Sequence, residues 1–384
     1  MQAADFIDGL SGKLLQTAQG HLAYVPNPLE PAIDLSLSIV RELSEADRAL
    51  SELAGVARTL PNPHLLIGPF LRREAVLSSR IEGTQASFSD LLFFEAARLG
   101  EKEVPDVREV SNYVQAMEYG LARLSALPVS FRLIREIHQR LMAGVRDETQ
   151  TPGEFRRSQN WIGPSGCTLQ DAVFVPPPVE EMHAALDAFE KYLHAPSQLP
   201  ALMRLALIHY QFEVIHPFLD GNGRVGRLLV TMLLCTEKLL PQPMLYLSAY
   251  FEQHSEEYYR LLLAVSQKGS WAQWIRYFLR AVAVQSRDAI QRIDLLLALR
   301  QKYRAHLQKA RASALLLQIV DNLFDFPAVT NPALSRRMKV TPRSAQLNIE
   351  KLVARDILSE ATGQQRNRVY IATEIVSIIE QEVT

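Results

Sequence analysis

His216-Pro217-Phe218-Leu219-Asp220-Gly221-Asn222-Gly223-Arg224-Val225-Gly226-Arg227 joins two stretches of helical periodicity. Upstream, Leu202, Leu205, His209 and Phe212 recur at three- and four-residue steps; downstream, Val225, Leu228, Leu229, Met232 and Leu233 do the same. The glycines therefore fall in a loop that opens the second helix. Such a loop can turn consecutive backbone N–H groups inward and form an anion nest at a positive helix end. Arg224 and Arg227, three apart in the first turn, can project toward the same anion. Two cations there oppose the helix dipole, and a bound polyphosphate would explain them. Asp220 is a hard oxygen ligand suited to one position of a Mg²⁺ that also takes phosphate oxygens. His216 just upstream, with an ordinary pKa of ~6.5, can accept a proton near neutral pH. Singly, these residues read as a helix-end histidine, a Gly-Asn-Gly turn and a solvated arginine pair. Together they describe a phosphoryl- or nucleotidyl-transfer site.

Working outward, helical spacing predicts further helices over about 35–59, 66–82, 87–98, 107–126, 131–142, 179–194, 255–266 and 271–309. Strand-like material is confined to Asn160–Gly163 with Val173–Val175, which read as one hairpin over 157–178, and to Arg368–Ala372 near the C-terminus. Residues 1–30, with Pro26, Pro28 and Pro31 at their end, read as an extended arm packed on the rest. The expected division is 1–110 for the arm and first helices, 111–280 for a core, 281–312 for a helical linker and 313–384 for a small α+β module. The fold class is mostly α.

Composition narrows the function classes. The 384 residues carry 41 Lys and Arg against 42 Asp and Glu, which excludes a globally basic nucleic-acid coat but not a local basic patch. Leu228–Cys235, the longest apolar stretch, is far short of the ~20 residues a membrane span needs. Cys167 and Cys235 are too few for a disulfide framework or a cysteine-ligated zinc. No basic n-region precedes an apolar segment at the N-terminus, so the expected location is the cytoplasm.

The loop resembles the Fic (filamentation induced by cAMP) signature HxFx(D/E)GNGRxxR at every fixed position. That resemblance implies a protein adenylyltransferase with a helical core and a β-hairpin flap, moving AMP from MgATP to a Ser, Thr or Tyr hydroxyl of a target protein, and of itself. Carried over by position, His216 would deprotonate the hydroxyl and Asp220 would hold Mg²⁺. Gly221, Asn222 and Gly223 would cradle the α- and β-phosphates, Arg224 would meet the β-phosphate and Arg227 the γ-phosphate. Val225 and Gly226 lie within the same nucleotide-binding run, and Glu82 is grouped with it. The rival implications are removal of AMP by the same site, with Glu82 positioning a water, and a DNA-binding regulator whose conformation follows nucleotide occupancy.

Four further segments extend the resemblance. Ser78-Ser79-Arg80-Ile81-Glu82-Gly83 is similar to the family's inhibitory motif (S/T)xxxE(G/N). Leu71, Ala75, Ser78 and Glu82 share one helical stripe, and Gly83 suits the residue that ends the helix. The resemblance gives Glu82 Arg227 as its partner. In the family a flap like 157–178 holds a target's main chain by strand addition, for which Trp161, Ile162, Phe174 and Val175 are candidates, with a purely structural hairpin as the alternative. Relatives place an aromatic over the adenine where Tyr258 and Tyr259 stand, and Tyr258 is favoured. Residues 313–371 resemble a winged helix-turn-helix, with Thr341 and Pro342 opening its second helix. Between Arg336 and Arg368 eight Lys or Arg face three Asp or Glu. Contact with DNA through Arg336, Arg337, Arg343, Arg366 and Arg368, near Ser344, stands beside a protein-contact role. The helical surface and the arm leave a homodimer as the expected assembly.

Overall fold

Strands β1 (Gly12–Gln16) and β2 (Leu22–Pro26) open the chain as an antiparallel hairpin, pairing Gly12 with Pro26 and Gln16 with Leu22. The computed structural model describes residues 1–60, 64–97, 105–145, 151–164, 166–310, 312–364 and 368–381. The expected extended arm is thus a folded element. Its short alternation hid it, because Lys13-Leu14-Leu15 and Leu22-Ala23-Tyr24 each offer only a few residues for a period-two reading. Tertiary contacts fix it. Tyr24 is buried and its hydroxyl donates to Ser11, whose own hydroxyl donates to the Val265 carbonyl.

The helical body follows: α1 (Leu37–Thr59), α2 (His64–Ile81), α3 (Phe88–Ala97), α4 (Pro105–Arg123), α5 (Phe131–Leu141), α6 (Val179–His194), α7 (Ala201–Ile215) and α8 (Asn222–Thr236). Polar caps decide several starts. Ser36 accepts from the Ile39 N–H, Ser130 from Leu133, and Ser87 and Asp90 exchange bonds as a reciprocal box ahead of α3. Helix α7 is buried on every side from Leu202 to Ile215, and α8 nearly so, which places this helix pair at the centre of the core. Helices α9 (Ser248–Gln253), α10 (Ser255–Lys268) and the long α11 (Trp271–Lys309) complete the body, with α1 packed along α11. A division at 110 runs through α4 and one at 280 through α11, so neighbouring units there share a continuous helix. No helix among the described residues is long and apolar enough to cross a membrane.

The terminal module comprises α12 (Ala314–Leu323), β3 (Ala328–Thr330), α13 (Asn331–Met338), α14 (Pro342–Val353), β4 (Ser359–Glu360), β5 (Val369–Ile371) and α15 (Thr373–Glu380). Its antiparallel sheet runs β3-β5-β4. Thr341 caps α14 by accepting from the Ser344 N–H, with Pro342 in the first turn. Of the expected basic residues Arg337 is paired with Asp325, while Arg336, Arg343 and Arg368 are exposed; Arg366 lies outside the described residues. The outward face of α14 mixes Arg343 and Lys351 with Leu347 and Glu350.

Arg292 locks this module to α11. Fully buried, it forks onto Asp288 and donates to the carbonyls of Ile378, Ile379 and Gln381 at the end of α15. Arg292→Ala should cost about 3 kcal/mol, because it strands several enclosed carbonyls and leaves the half-buried Asp288 with only its longer contact to Arg73. Arg292→Lys should recover little, since a point charge cannot reproduce the fork. A urea midpoint unchanged by Arg292→Ala would remove Arg292 from this role.

Candidate active site

The loop begins where α7 ends. His216 takes the left-handed conformation (φ 49°, ψ 60°), which is uncommon for a residue with a side chain and needs support from its surroundings. That support comes from two residues not anticipated from the sequence. Arg156, fully buried, donates to the His216 carbonyl, and the Asn160 amide donates to the carbonyls of His216 and Phe218. The His216 ring is oriented in turn. Its Nδ1 lies 3.0 Å from the Glu213 carbonyl, which only accepts, so Nδ1 carries the proton and Nε2 keeps its lone pair. Burial holds the imidazole down to about 4, with the nearby Arg156 charge adding to the effect. His216 is therefore neutral at pH 7.

Beyond it, Asn222 spends both ends of its amide on the Phe218 backbone, closing the loop over residues 218–222. Gly221 caps α8 at φ 77°, a conformation that favours glycine, and its N–H goes to Asp220 Oδ1. The first turn of α8 then has N–H groups with no intrahelical acceptor. His138, another unanticipated residue, supports this turn from α5. It stacks on Phe218 with centroids 3.8 Å apart, accepts from the Gly153 N–H and donates to the Asp220 carbonyl.

Arg227 is 3% exposed and turned into the protein. Its Nε donates to Ser78 Oγ at 2.8 Å, and Nη2 donates to the Ser78 carbonyl at 2.9 Å and to Glu82 Oε1 at 2.6 Å. All these partners belong to the C-terminal end of α2 and the turn after it, where Gly83 stands at φ 94°. The sequence placed Ser78 and Glu82 on one stripe, and the structure brings both onto Arg227. Gly223 makes the contact possible, because a Cβ there would run into the Glu82 carboxylate. Gly226 serves a comparable purpose on the other side, where a Cβ would meet Glu213 Oε1. Burial lowers the Arg227 pKa, but the Glu82 charge outweighs it and raises it, so the guanidinium stays charged.

Arg224, equally enclosed, bonds Glu109 Oε2 on α4 at 3.1 Å and approaches Asp220 Oδ2 at 3.5 Å. Its Nε is buried without an acceptor. Thus the two helix-start arginines do not share one anion within the chain: Arg224 is held by Glu109 and Arg227 by Glu82. Val225 points into the core and presents no side chain to the loop.

Two expectations change. Tyr258 is 1% exposed, stacks on Phe251 and bonds His209 through its hydroxyl, so its ring is not free to cover an adenine. The neighbouring Tyr259 is 45% exposed, and one helical position decides the difference. Segment 157–178 is also less regular than a hairpin. Ile162 and Phe174 form a single antiparallel bridge, Phe174 and Val175 are buried, and the Val175 carbonyl accepts from the Tyr24 N–H of β2. Trp161 and Val173 are its exposed apolar residues.

A histidine with a free lone pair, a carboxylate and two buried guanidiniums thus gather around the N-terminus of α8 in a helical protein. Residues 40–122 match the Fic/DOC family N-terminal region and residues 128–234 match the Fic/DOC family, so the chain carries a Fic N-terminal region and a Fic domain. Over 136 residues it is 33% identical to Protein adenylyltransferase Fic of Drosophila erecta and 34% identical to that of Drosophila willistoni. Each match covers 35% of this chain, which spans about a quarter (25%) of the length of those relatives. The fold is similar to that of a Fic family protein from Desulfovibrio desulfuricans G20, with TM-score 0.57 and 17% identity over 90% of this chain and 98% of that one.

The burial of His216 generates a pH test. Unfolded, the ring takes a proton near ~6.5; folded, it resists until about 4. The unfolded chain therefore binds more protons between these values, and this group's effect on stability turns unfavourable as pH falls through the window. NMR titration of the His216 ring should find a midpoint well below 6. A midpoint near 6.5 would mean a solvated imidazole.

Proposed function

We propose that this protein transfers AMP from MgATP to a Ser, Thr or Tyr hydroxyl of a protein, itself included, and is restrained by Glu82. One observation carries the reading: a carboxylate of the chain lies in the space left by the missing Cβ of Gly223, bonded to a buried arginine at a helix N-terminus. That is an anion site filled from within. The relatives' printed name, protein adenylyltransferase, supports the choice of nucleotide chemistry.

Each residue then has a part. His216 Nε2 takes the proton of the acceptor hydroxyl, whose oxygen bonds the α-phosphorus as the bond to the β-phosphate oxygen breaks and pyrophosphate leaves. The neutral ring makes this possible near pH 7, and Nδ1 on the Glu213 carbonyl fixes its direction. The first-turn N–H groups of α8, the orphan Nε of Arg224 and the guanidinium of Arg227 supply fixed positive charge for the phosphates. For Mg²⁺ the fit is modest but sufficient. Among the described residues no cluster of three His, Cys, Asp or Glu could hold a metal, whereas Asp220, partly exposed, offers one oxygen. That suits a cation completed by phosphates and water. Bound there, Mg²⁺ would neutralise phosphate charge.

Incubation with α-³²P-ATP tests the reading directly. Wild type and Glu82→Gly should take up label, and His216→Ala should lose it while still binding nucleotide. Retained labelling in His216→Ala would remove His216 as the base.

The restraint makes a sharper prediction. Glu82→Gly frees Arg227, and transfer should rise about tenfold or more, the scale of one charge-assisted hydrogen bond. Arg227→Ala loses both the restraint and a phosphate ligand, and should stay low. The double variant should match Arg227→Ala alone, since both changes act through one contact. A Glu82→Gly protein no more active than wild type would sink the autoinhibition and leave the loop roles standing.

For the terminal module we propose a winged helix-turn-helix that touches DNA phosphates through Arg343, Lys351 and Arg368. Such contacts release counterions, so a mobility shift should weaken steeply with salt. No shift at low salt would favour a protein partner.

A further inference from the structure

We infer that Glu109 is a positioning residue that draws the Arg224 guanidinium off Asp220 and holds it ready for a nucleotide's phosphates. This rests on the proposed nucleotide site. Arg224 is charged and buried, so it must lie against an anion, and two carboxylates are within reach. Nη1 bonds Glu109 Oε2 at 3.1 Å, while Nη2 stands 3.5 Å from Asp220 Oδ2, a longer and weaker approach. The nearer anion wins.

Glu109 is well fixed for that task. It projects from α4, a helix packed on α2, α5 and α8, and is mostly enclosed. The same Oε2 accepts from the buried Thr84 hydroxyl at 3.3 Å. Thr84 follows Gly83 directly, so one short turn carries both Glu82, on Arg227, and the residue that steadies Glu109.

Without Glu109, Asp220 would be the one carboxylate within reach of Arg224 among the described residues. The guanidinium would close onto it, and two functions would suffer together. Asp220 would lose the oxygen free for a cation, and Arg224 would turn its donors from the phosphate site to a carboxylate. The orphan Nε shows that Arg224 is under-satisfied as it stands. A phosphate oxygen would complete it, and a collapsed pair with Asp220 would compete with that oxygen.

The test uses the full-length chain in the Glu82→Gly background, with dissociation constants for ATP, ADP and AMP measured by calorimetry in EDTA and again in Mg²⁺. In EDTA, Glu109→Ala should weaken ATP and ADP about tenfold each, the loss expected for one charge-assisted hydrogen bond, and change AMP less than about twofold. Adding Mg²⁺ should widen the deficit for ATP, because Asp220 is then also occupied. Glu109→Gln keeps an oxygen but not the charge that holds Arg224 off Asp220 and should recover little, whereas Glu109→Asp, which keeps the carboxylate, should recover part of the affinity.

Equal weakening of all three nucleotides in Glu109→Ala and Glu109→Asp would mean a collapsed site and overturn the positioning role. So would unchanged affinities. Tighter binding of ATP and ADP to Glu109→Ala would make Glu109 a second restraint instead. If the Glu82→Gly parent binds ATP and ADP but transfers no label, the transfer reading fails alone. A parent that binds none of the three sinks both.

Discussion

A guanidinium buried at the positive end of a helix has to be given an anion, and much of this architecture follows from how Arg227 obtains one. The dipole of α8 and the desolvation of the side chain both disfavour the charge there. Glu82 and Ser78 supply the compensation from 145 and 149 positions away in sequence. The geometry is exacting. Helix α2 must end just before Glu82, the chain must turn at Gly83, and residue 223 must lack a Cβ so that the carboxylate can approach. The contact thereby joins the first helices to the central α7–α8 pair, and a fold-stabilising interaction falls on the residue best placed to hold a phosphate.

On the proposed function, occupancy of that position would be competitive: a phosphate oxygen would have to displace the Glu82 carboxylate from the guanidinium. Around it stand groups whose protonation is set by burial. Glu213 is pushed up to about 8 and His209 down to about 3, so both are neutral near pH 7. With these neighbours uncharged, the local balance rests on Arg227 and Glu82.

His216 depends on a different kind of constraint. A left-handed residue bearing a side chain is stable only if its surroundings over-determine it. Here Arg156 and Asn160 hold its carbonyl, and Glu213 holds its ring through a backbone oxygen. His138 steadies the next residues by stacking and two hydrogen bonds. None of these supports lies within the twelve-residue loop. The loop's geometry therefore depends on His138, Arg156 and Asn160 being packed against it.

The loop from His216 to Arg227, its place between two helices, the helical class and the Ser78–Gly83 stripe were legible because each is a local pattern. Spacing along one helix decides which residues share a face, and glycine at a helix start has a conformational meaning of its own. What the sequence left open depended on neighbours far along the chain. Tyr258 and Tyr259 are adjacent and chemically alike, and only the packing of Phe251 and His209 decides which one is sealed. The β1–β2 hairpin carries too few alternating residues to announce itself, and exists because Tyr24 finds a buried niche. Glu109 looks like any surface glutamate until α4 lies across α8 and an enclosed Arg224 needs a counter-charge. Local periodicity determined the elements and the loop. Long-range burial, which makes every enclosed charge find a partner, decided what each residue of the site touches.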